Sequence, residues 1–470
     1  MNWILAGIFA YIGIQLLIGI AVSRRMASED DYLLAGRRIG LGLGTFSIFA
    51  TWFGAETCIG AAGSIYQSGL AGGSADPFGY FLCLLLVGLL FAVKLWRRRL
   101  TTLADFIRSR YSPGLEKLVV LLAAPGSVIW AGAQIRAFGQ VLASSSAFGV
   151  EVAITAAALV VIIYTVSGGM LADVVTDLVQ GIALILGLVL LLYALAEAGG
   201  GLAALLERVE PERLRLFPAE RPWLQTLESW AIPVTGSLFA QELIGRVLAS
   251  RSPGIATGSC LLGGGLYLAI GLVPVFIGLA GTSLAPSLEH PEQLLPVLAQ
   301  RHLPGVLYVL FAGALISAIL STVDSALLAA ASLVSHNLIV PLYGHCLAEA
   351  AKVRIARCCV AGFGVIAYLL ALSAESVHDM AEQASGFGGA GLFVVVLGAF
   401  LPGFGQAQAA AAALAAGIAT WLVGTVLLDW QTPYLFSLGA ALAAFLLVGA
   451  WEKVVAPAAG DVLAEQQDEA

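Results

Sequence analysis

Charge is what this chain has little of: of 470 residues only 11% are Asp, Glu, Lys or Arg, against 59% hydrophobic, and the mean hydropathy is +0.93. Soluble domains carry roughly 25% charged residues, so a wholly water-exposed surface is excluded and lipid is the expected solvent. The six cysteines, Cys58, Cys83, Cys260, Cys346, Cys358 and Cys359, sit in or beside apolar runs without the paired spacing of a zinc site, which argues against a disulfide framework or a metal cluster. The five histidines, His290, His302, His336, His345 and His378, fall toward loops and helix ends rather than beside a nucleophile, so an intramembrane enzyme has no visible apparatus and none is expected. A basic excess is missing too: net charge is −7, partly from the tail residues Asp461, Glu465, Asp468 and Glu469, and no nucleic-acid partner is implied.

What is abundant is apolar sequence in lengths that match a bilayer. A crossing needs about 20 residues, and thirteen such runs can be placed, at 3–22, 40–69, 77–96, 116–148, 150–168, 171–199, 225–249, 254–282, 303–340, 354–374, 377–401, 406–428 and 434–452. The first lacks both a preceding basic region and a cleavage site, so it reads as a retained span. With the N-terminus outside, one set of connections receives Arg24, Arg25, Arg37, Arg38, Arg97, Arg98, Arg99, Arg108, Arg110, Lys117, Arg251, Lys352, Arg354 and Lys453. The other receives only Arg208, Arg213, Arg215, Arg221 and Arg301, mostly in the longest loop. Lys and Arg stay cytoplasmic, so the expectation is an all-α polytopic protein of the plasma (inner) membrane, N-terminus outside and C-terminus cytoplasmic. It is expected to be one membrane domain over 1–470.

Some runs are too rich in glycine or proline to be plain rods. The second contains Gly40, Gly42 and Gly44, then Ala50 to Thr57, then Gly60 and Gly63; the seventh contains Ala231-Ile232-Pro233-Val234-Thr235-Gly236-Ser237. Each alone admits two readings, a packing seam or kink, and an unwound segment lining a cavity. Two such spans five helices apart fit an inverted repeat of five plus five helices.

Charges inside spans cost at least ~2.5 kcal/mol each on insertion scales. Glu56, Arg136, Asp173, Asp177, Glu242 and Asp324 are the candidates, with an ion pair or a helix-end position favoured for Arg136, Asp173 and Glu242. In the ninth span Ala318, Ser321, Thr322 and Ser325 share one helical face. A packing seam is one reading; the other is an oxygen cage for sodium, a hard cation, with carbonyls released near Ala50 and Phe53.

Five segments in order resemble the sodium:solute symporter family, which includes sodium/galactose, sodium/proline, sialic acid and pantothenate transporters. They are Asp31-Tyr32-Leu33-Leu34-Ala35-Gly36-Arg37; Ala50 to Gly63 with the Ala55-Glu56 pair; Gly168-Gly169 with Thr176-Asp177 and Gln180-Gly181; Gln241 to Arg246; and Ser321 to Ser325 followed by Leu327-Leu328. The resemblance implies a LeuT-like 5+5 inverted repeat: 1–39 a first helix and loop, 40–199 the first repeat, 200–402 the outer loop and second repeat, 403–452 two last helices and 453–470 a cytoplasmic tail. It implies sodium-coupled symport of a small organic solute across the lipid bilayer, with Na+ as the coupling ion and no covalent cofactor.

The family's main sodium site carries over onto the carbonyls of Ala50, Phe53 and Ala318 and the hydroxyls of Ser321 and Thr322. A second ion site maps to Asp177, Ser321, Asp324 and Ser325. Asp324 stands where sialic acid transporters have a hydroxyl, and two carboxylates with no cation between them make a proton the alternative occupant. For the solute, Glu56, Thr57, Gln134, Pro233, Ser237 and Gln241 are the expected pocket. Pro233 and Ser237 replace the aromatics of proline transporters, and Thr57 replaces a glutamine of the galactose pattern, so both solutes are disfavoured. Gly386-Phe387-Gly388-Gly389 reads as a flexible gate or a packing surface. The rivals are a proton-coupled symporter of the same fold and a transporter-like solute sensor.

Overall fold

The computed structural model describes residues 3–23, 28–144, 149–288, 290–343, 347–374, 376–401 and 403–468. Arg24, Arg25, His345, Cys346 and Glu469 lie outside the described residues. The described chain is helical, with one isolated bridge between Ile39 and Ser250. Among the described residues ten helices are long and apolar enough to cross a membrane. The thirteen expected spans are not reached by that measure: the helix Trp3–Ser23 is not among the ten, and two further spans are lost for a physical reason. The second span begins with only twelve helical residues, Leu41–Trp52, and the seventh is split into Trp223–Ala231 and Gln241–Ala249. The helical run Glu56–Trp96 then joins the rest of the second span to the third.

The ninth span is the mast of the bundle. Every residue from Phe311 to Leu333 is buried, apolar side chains alternating with the polar Ser317, Ser321, Thr322, Asp324, Ser325 and Ser332. The fourth, sixth and second spans pack directly on it.

The breaks fall where glycine and proline stand. At the end of Leu41–Trp52 the chain leaves helical geometry at Phe53 (φ −85°, ψ 65°). Gly54 follows because a side chain would not fit: a Cβ there would lie 2.6 Å from Thr322 Oγ1 and 2.8 Å from Gln134 Oε1. The helix resumes as the wide turn Glu56–Gly60. A helix start leaves amides without partners, and Gln134 satisfies one, its Oε1 accepting from the Ala55 amide at 2.9 Å. In the seventh span Pro233 brings no amide hydrogen; a wide turn covers Ile232–Gly236, and the chain runs unwound to Ala240. The eleventh span breaks as well, between Val377–Gly386 and Gly389–Ala399, with Gly388 at φ +70°. These two breaks abut, since a Cβ on Gly236 would sit 2.6 Å from the Ser385 carbonyl oxygen.

Basic residues gather at one end. Arg37 donates to the Leu100 carbonyl at 2.9 Å, Trp96 Nε1 to the Ser250 carbonyl at 2.6 Å, and Arg110 to the Phe404 and Gly405 carbonyls at 3.1 Å. At the other end Arg213 of the long loop donates to the carbonyls of Ile65 and Tyr66, and Tyr66 to that of Ala285.

Candidate functional site

The break in the second span meets the ninth span at Thr322. Its hydroxyl donates to the Ala318 carbonyl at 3.1 Å and lies 3.4 Å from the Ala50 carbonyl. Three of the five oxygens expected to hold sodium are therefore within reach of one another, and Phe53 sits at the break itself. Ser321 is turned differently, its hydroxyl donating to Asp177 Oδ1. The donor set is neutral oxygen, which suits a hard monovalent cation that must be released again.

The second set of expected ion ligands is also assembled, with an addition. Ser47 donates to Asp177 Oδ2 at 2.6 Å, and Thr165 donates to Asp324 Oδ1. Arg246, 2% exposed, reaches in from the seventh span: Nη2 lies 2.7 Å from Asp173 Oδ2, 3.4 Å from Asp177 Oδ2 and 2.5 Å from Ser325 Oγ, and Nε lies 2.8 Å from Ser47 Oγ. The guanidinium stands between Asp173 and Asp177; of the expected pair Asp177 and Asp324, it lies within ion-pair distance of Asp177. Asp173 takes the ion-pair role expected of it. Arg246 ends the Gln241 to Arg246 segment of the resemblance but was not counted among the in-span charges; a lone arginine in the apolar run Leu243 to Ala249 was the available signal.

Three aromatic side chains from three spans face one another near the middle of the bundle. Trp52 and Tyr80 have ring centroids 5.1 Å apart, Tyr80 and Trp130 6.0 Å, and Trp52 and Trp130 6.3 Å. Beside them a cavity of about 760 Å³, counting its mouth, extends toward the basic end. Its wall includes Trp52, Trp130, Thr51, Thr322, Glu242 and Ser385 and, among the described residues, no Lys, Arg or His. The basic-end placement follows from Gln241, whose Oε1 accepts from the Leu103 amide at 2.9 Å, and from Phe239, which packs edge-on against Phe91 at 5.0 Å. Trp52 Nε1 is buried without a hydrogen-bond partner.

A string of hydroxyls closes the far side of this cavity. Ser237 Oγ donates to Ser385 Oγ at 3.2 Å, Tyr80 Oη lies 3.2 Å from Ser385 Oγ, and the same Tyr80 hydroxyl lies 3.4 Å from both carboxylate oxygens of Glu56.

The expected solute residues divide accordingly. Ser237 and Gln241 line the central cavity; Glu56 and Pro233 line a second cavity beyond the string. Thr57 lines neither, its hydroxyl being 2.8 Å from Asp76 Oδ2 and 3.1 Å from Tyr267 Oη, and Gln134 lines neither, its Oε1 accepting from the Ala55 amide while its Nε2 is buried without a partner. The aromatic triad and Asp76 were not singled out from sequence, since no spacing links residues on separate helices.

A profile described as Sodium:solute symporter family matches residues 32–417. High-affinity choline transporter 1 of Drosophila melanogaster is 27% identical over 394 residues, covering 79% of this chain and 62% of that protein. High affinity choline transporter 1 of Homo sapiens is 26% identical over 409 residues, covering 80% of this chain and 69% of that protein. The fold is that of a Na+-coupled sialic acid symporter solved in a substrate-bound outward-open state, with a TM-score of 0.83 over 95% of this chain and 97% of that one at 17% identity. With the profile spanning most of its length, this multi-pass membrane protein belongs to the sodium:solute symporter family, whose members are transporters and not enzymes.

Proposed function

We propose that the chain is a sodium-coupled symporter for a small organic cation of the choline type. The observation that carries this reading is the triad of Trp52, Tyr80 and Trp130 beside a cavity with one carboxylate, Glu242, and no basic side chain. Aromatic faces attract quaternary ammonium groups through their quadrupoles, most strongly when water is excluded. An anionic solute would meet no positive group there. The names of the relatives point the same way, as choline is what those proteins are called after.

Coupling follows from the sodium set. An ion held by the carbonyls of Ala50, Phe53 and Ala318 and the hydroxyls of Ser321 and Thr322 would tie the broken second span to the ninth. Thr322, of that set, and Thr51, beside Ala50, also line the solute cavity. Ion and solute then favour the same conformation, which is what coupling requires. With the basic end cytoplasmic, the central cavity is the inward-facing one.

Uptake of radiolabelled choline into proteoliposomes tests the proposal: it should be driven by an inward sodium gradient, not by potassium, at fixed pH. No sodium-driven accumulation of choline or of any other quaternary ammonium would refute it, and sodium-dependent binding without flux would favour a sensor. A second ion at Asp177, Ser321, Asp324 and Ser325 is favoured by charge: Arg246 offsets one of three buried carboxylates. A proton gradient that drives uptake in the absence of sodium would make that ion H+.

A further inference from the structure

At the basic end two cations lean on one aromatic ring. Lys94, in the last turn of the third span, has its Nζ 5.6 Å from the ring centroid of Phe400, which closes the eleventh span. The Arg98 guanidinium lies 5.8 Å from that ring and 4.3 Å from the ring of Phe106, and the two rings are 4.9 Å apart. Phe106 belongs to the helix Leu103–Arg110, whose last residue is a third cation, Arg110, held against the Phe404 and Gly405 carbonyls just beyond Phe400. Among the described residues no carboxylate stands within 4 Å of Lys94, Arg98 or Arg110. Glu452, which reaches the same loop, spends its oxygens on the amides of Gln406, Gln408 and Ala409.

Topology alone accounts for basic residues at this end, but cations left to water spread apart. These are gathered: partial burial, and then the charge of Arg110, pull the Arg98 pKa below its ordinary value. Ring faces attract cations yet carry no net charge, so the cluster stays positive. One turn deeper into the membrane the surface is apolar, with Leu90, four residues before Lys94, 49% exposed and Leu397, three before Phe400, 39% exposed. A ligand that satisfies both parts has an anionic head and a hydrocarbon body. Lys and Arg together suit a phosphate, the one as a point charge and the other as a fork of donors.

We infer that the inner ends of the third and eleventh spans form a binding site for an anionic phospholipid, its phosphate among Lys94, Arg98 and Arg110 and an acyl chain along Leu90 and Leu397. The inference takes the basic end as cytoplasmic, the leaflet in which anionic headgroups attract clustered Lys and Arg. The site bears on transport through a chain of rings. Phe400 packs on Phe91 at 5.3 Å, and Phe91 on Phe239 at 5.0 Å, a side chain in the wall of the central cavity. A lipid seated there braces two spans at the end toward which that cavity extends.

Native mass spectrometry of the purified full chain in detergent, titrated with palmitoyl-oleoyl phosphatidylglycerol or the matching phosphatidylcholine, tests this whatever solute is carried. One phosphatidylglycerol should bind about thirtyfold more tightly than phosphatidylcholine, the worth of two cations near a membrane surface. Lys94→Gln with Arg98→Gln should lose that preference, and Lys94→Arg with Arg98→Lys, which keeps the charges, should retain most of it. Lys117→Gln with Arg354→Gln removes two exposed charges of the same end and should leave it unchanged. Equal affinity of wild type for the two lipids overturns the site, as does an equal loss in both charge-removing pairs, which would mean diffuse attraction to a basic surface. Displacement of the bound phosphatidylglycerol by millimolar glycerol phosphate would make this a site for free anions and overturn the lipid assignment.

Discussion

Arg246 and Asp173 form an ion pair at 2.7 Å with side chains only 1% and 4% exposed. Breaking a buried pair by removing one partner costs about 3–5 kcal/mol, because the remaining charge keeps its burial without its compensation. Arg246→Ala leaves Asp173, Asp177 and Asp324 together with no positive group, so the variant should unfold at markedly lower temperature in detergent. Arg246→Lys keeps the charge but loses the fork that reaches Ser47 and Ser325 at once, and should recover part of the loss. Equal melting of Arg246→Ala and wild type would show that the pair does not hold the sixth and seventh spans together.

Thr322 and Ser321 are neighbours with different partners, and this separates their expected phenotypes. Thr322 faces the Ala50 and Ala318 carbonyls, whereas Ser321 gives its proton to Asp177. Thr322→Ala should therefore raise the sodium concentration for half-maximal uptake, by roughly tenfold for one lost ligand worth ~1.4 kcal/mol. Ser321→Ala should raise it too, and should also disturb Asp177. Sodium titrations of uptake in proteoliposomes check both, and an unaltered half-maximal sodium concentration in Thr322→Ala would remove the site assignment.

The comparison of sequence with structure divides along chain distance. The break at Phe53 and that after Pro233 were legible because glycine and proline act on their own backbone. The pairing of the second span with the ninth was legible because hydroxyls recurring along one face declare which side of a helix is polar. Arg246 was different: its meaning depends on Asp173, 73 residues away in sequence, and an isolated in-span charge says only that a partner is needed. The triad is harder still. Trp52, Tyr80 and Trp130 look like any aromatics in apolar runs until packing brings their rings together. Thr57 and Gln134 show the converse: the bonds from Thr57 to Asp76 and from the Ala55 amide to Gln134 Oε1 join separate segments, and no local pattern announces them.

Gly54 is a close contact between the broken helix and the mast. A methyl group there meets Thr322 Oγ1 at 2.6 Å and Gln134 Oε1 at 2.8 Å, both closer than carbon and oxygen approach without displacement. Gly54→Ala should push the second span away from Thr322, so that sodium-driven uptake falls by at least an order of magnitude while the protein still reaches the membrane and purifies as a monodisperse species. Wild-type uptake in this variant would mean that the two spans need not approach for coupling.

The aromatic triad gives the sharpest test of solute class, because its contribution depends on π-faces and not on bulk alone. A desolvated cation over an aromatic ring gains about 2 kcal/mol, close to a thirtyfold change in affinity. Trp130→Leu keeps an apolar wall and removes the quadrupole, so choline binding in sodium should weaken by that order, and Trp130→Phe should fall between the two. Trp52 carries a second signature: its buried Nε1 has no partner within the protein, leaving a donor free for an acceptor such as the hydroxyl oxygen of choline. Trp52→Phe should then discriminate between ligands, weakening choline more than tetramethylammonium, which has nothing to accept that hydrogen. If both cations lose affinity equally, the indole acts through its ring alone; if neither responds to any substitution of the triad, the cation binds elsewhere and the solute assignment falls with it.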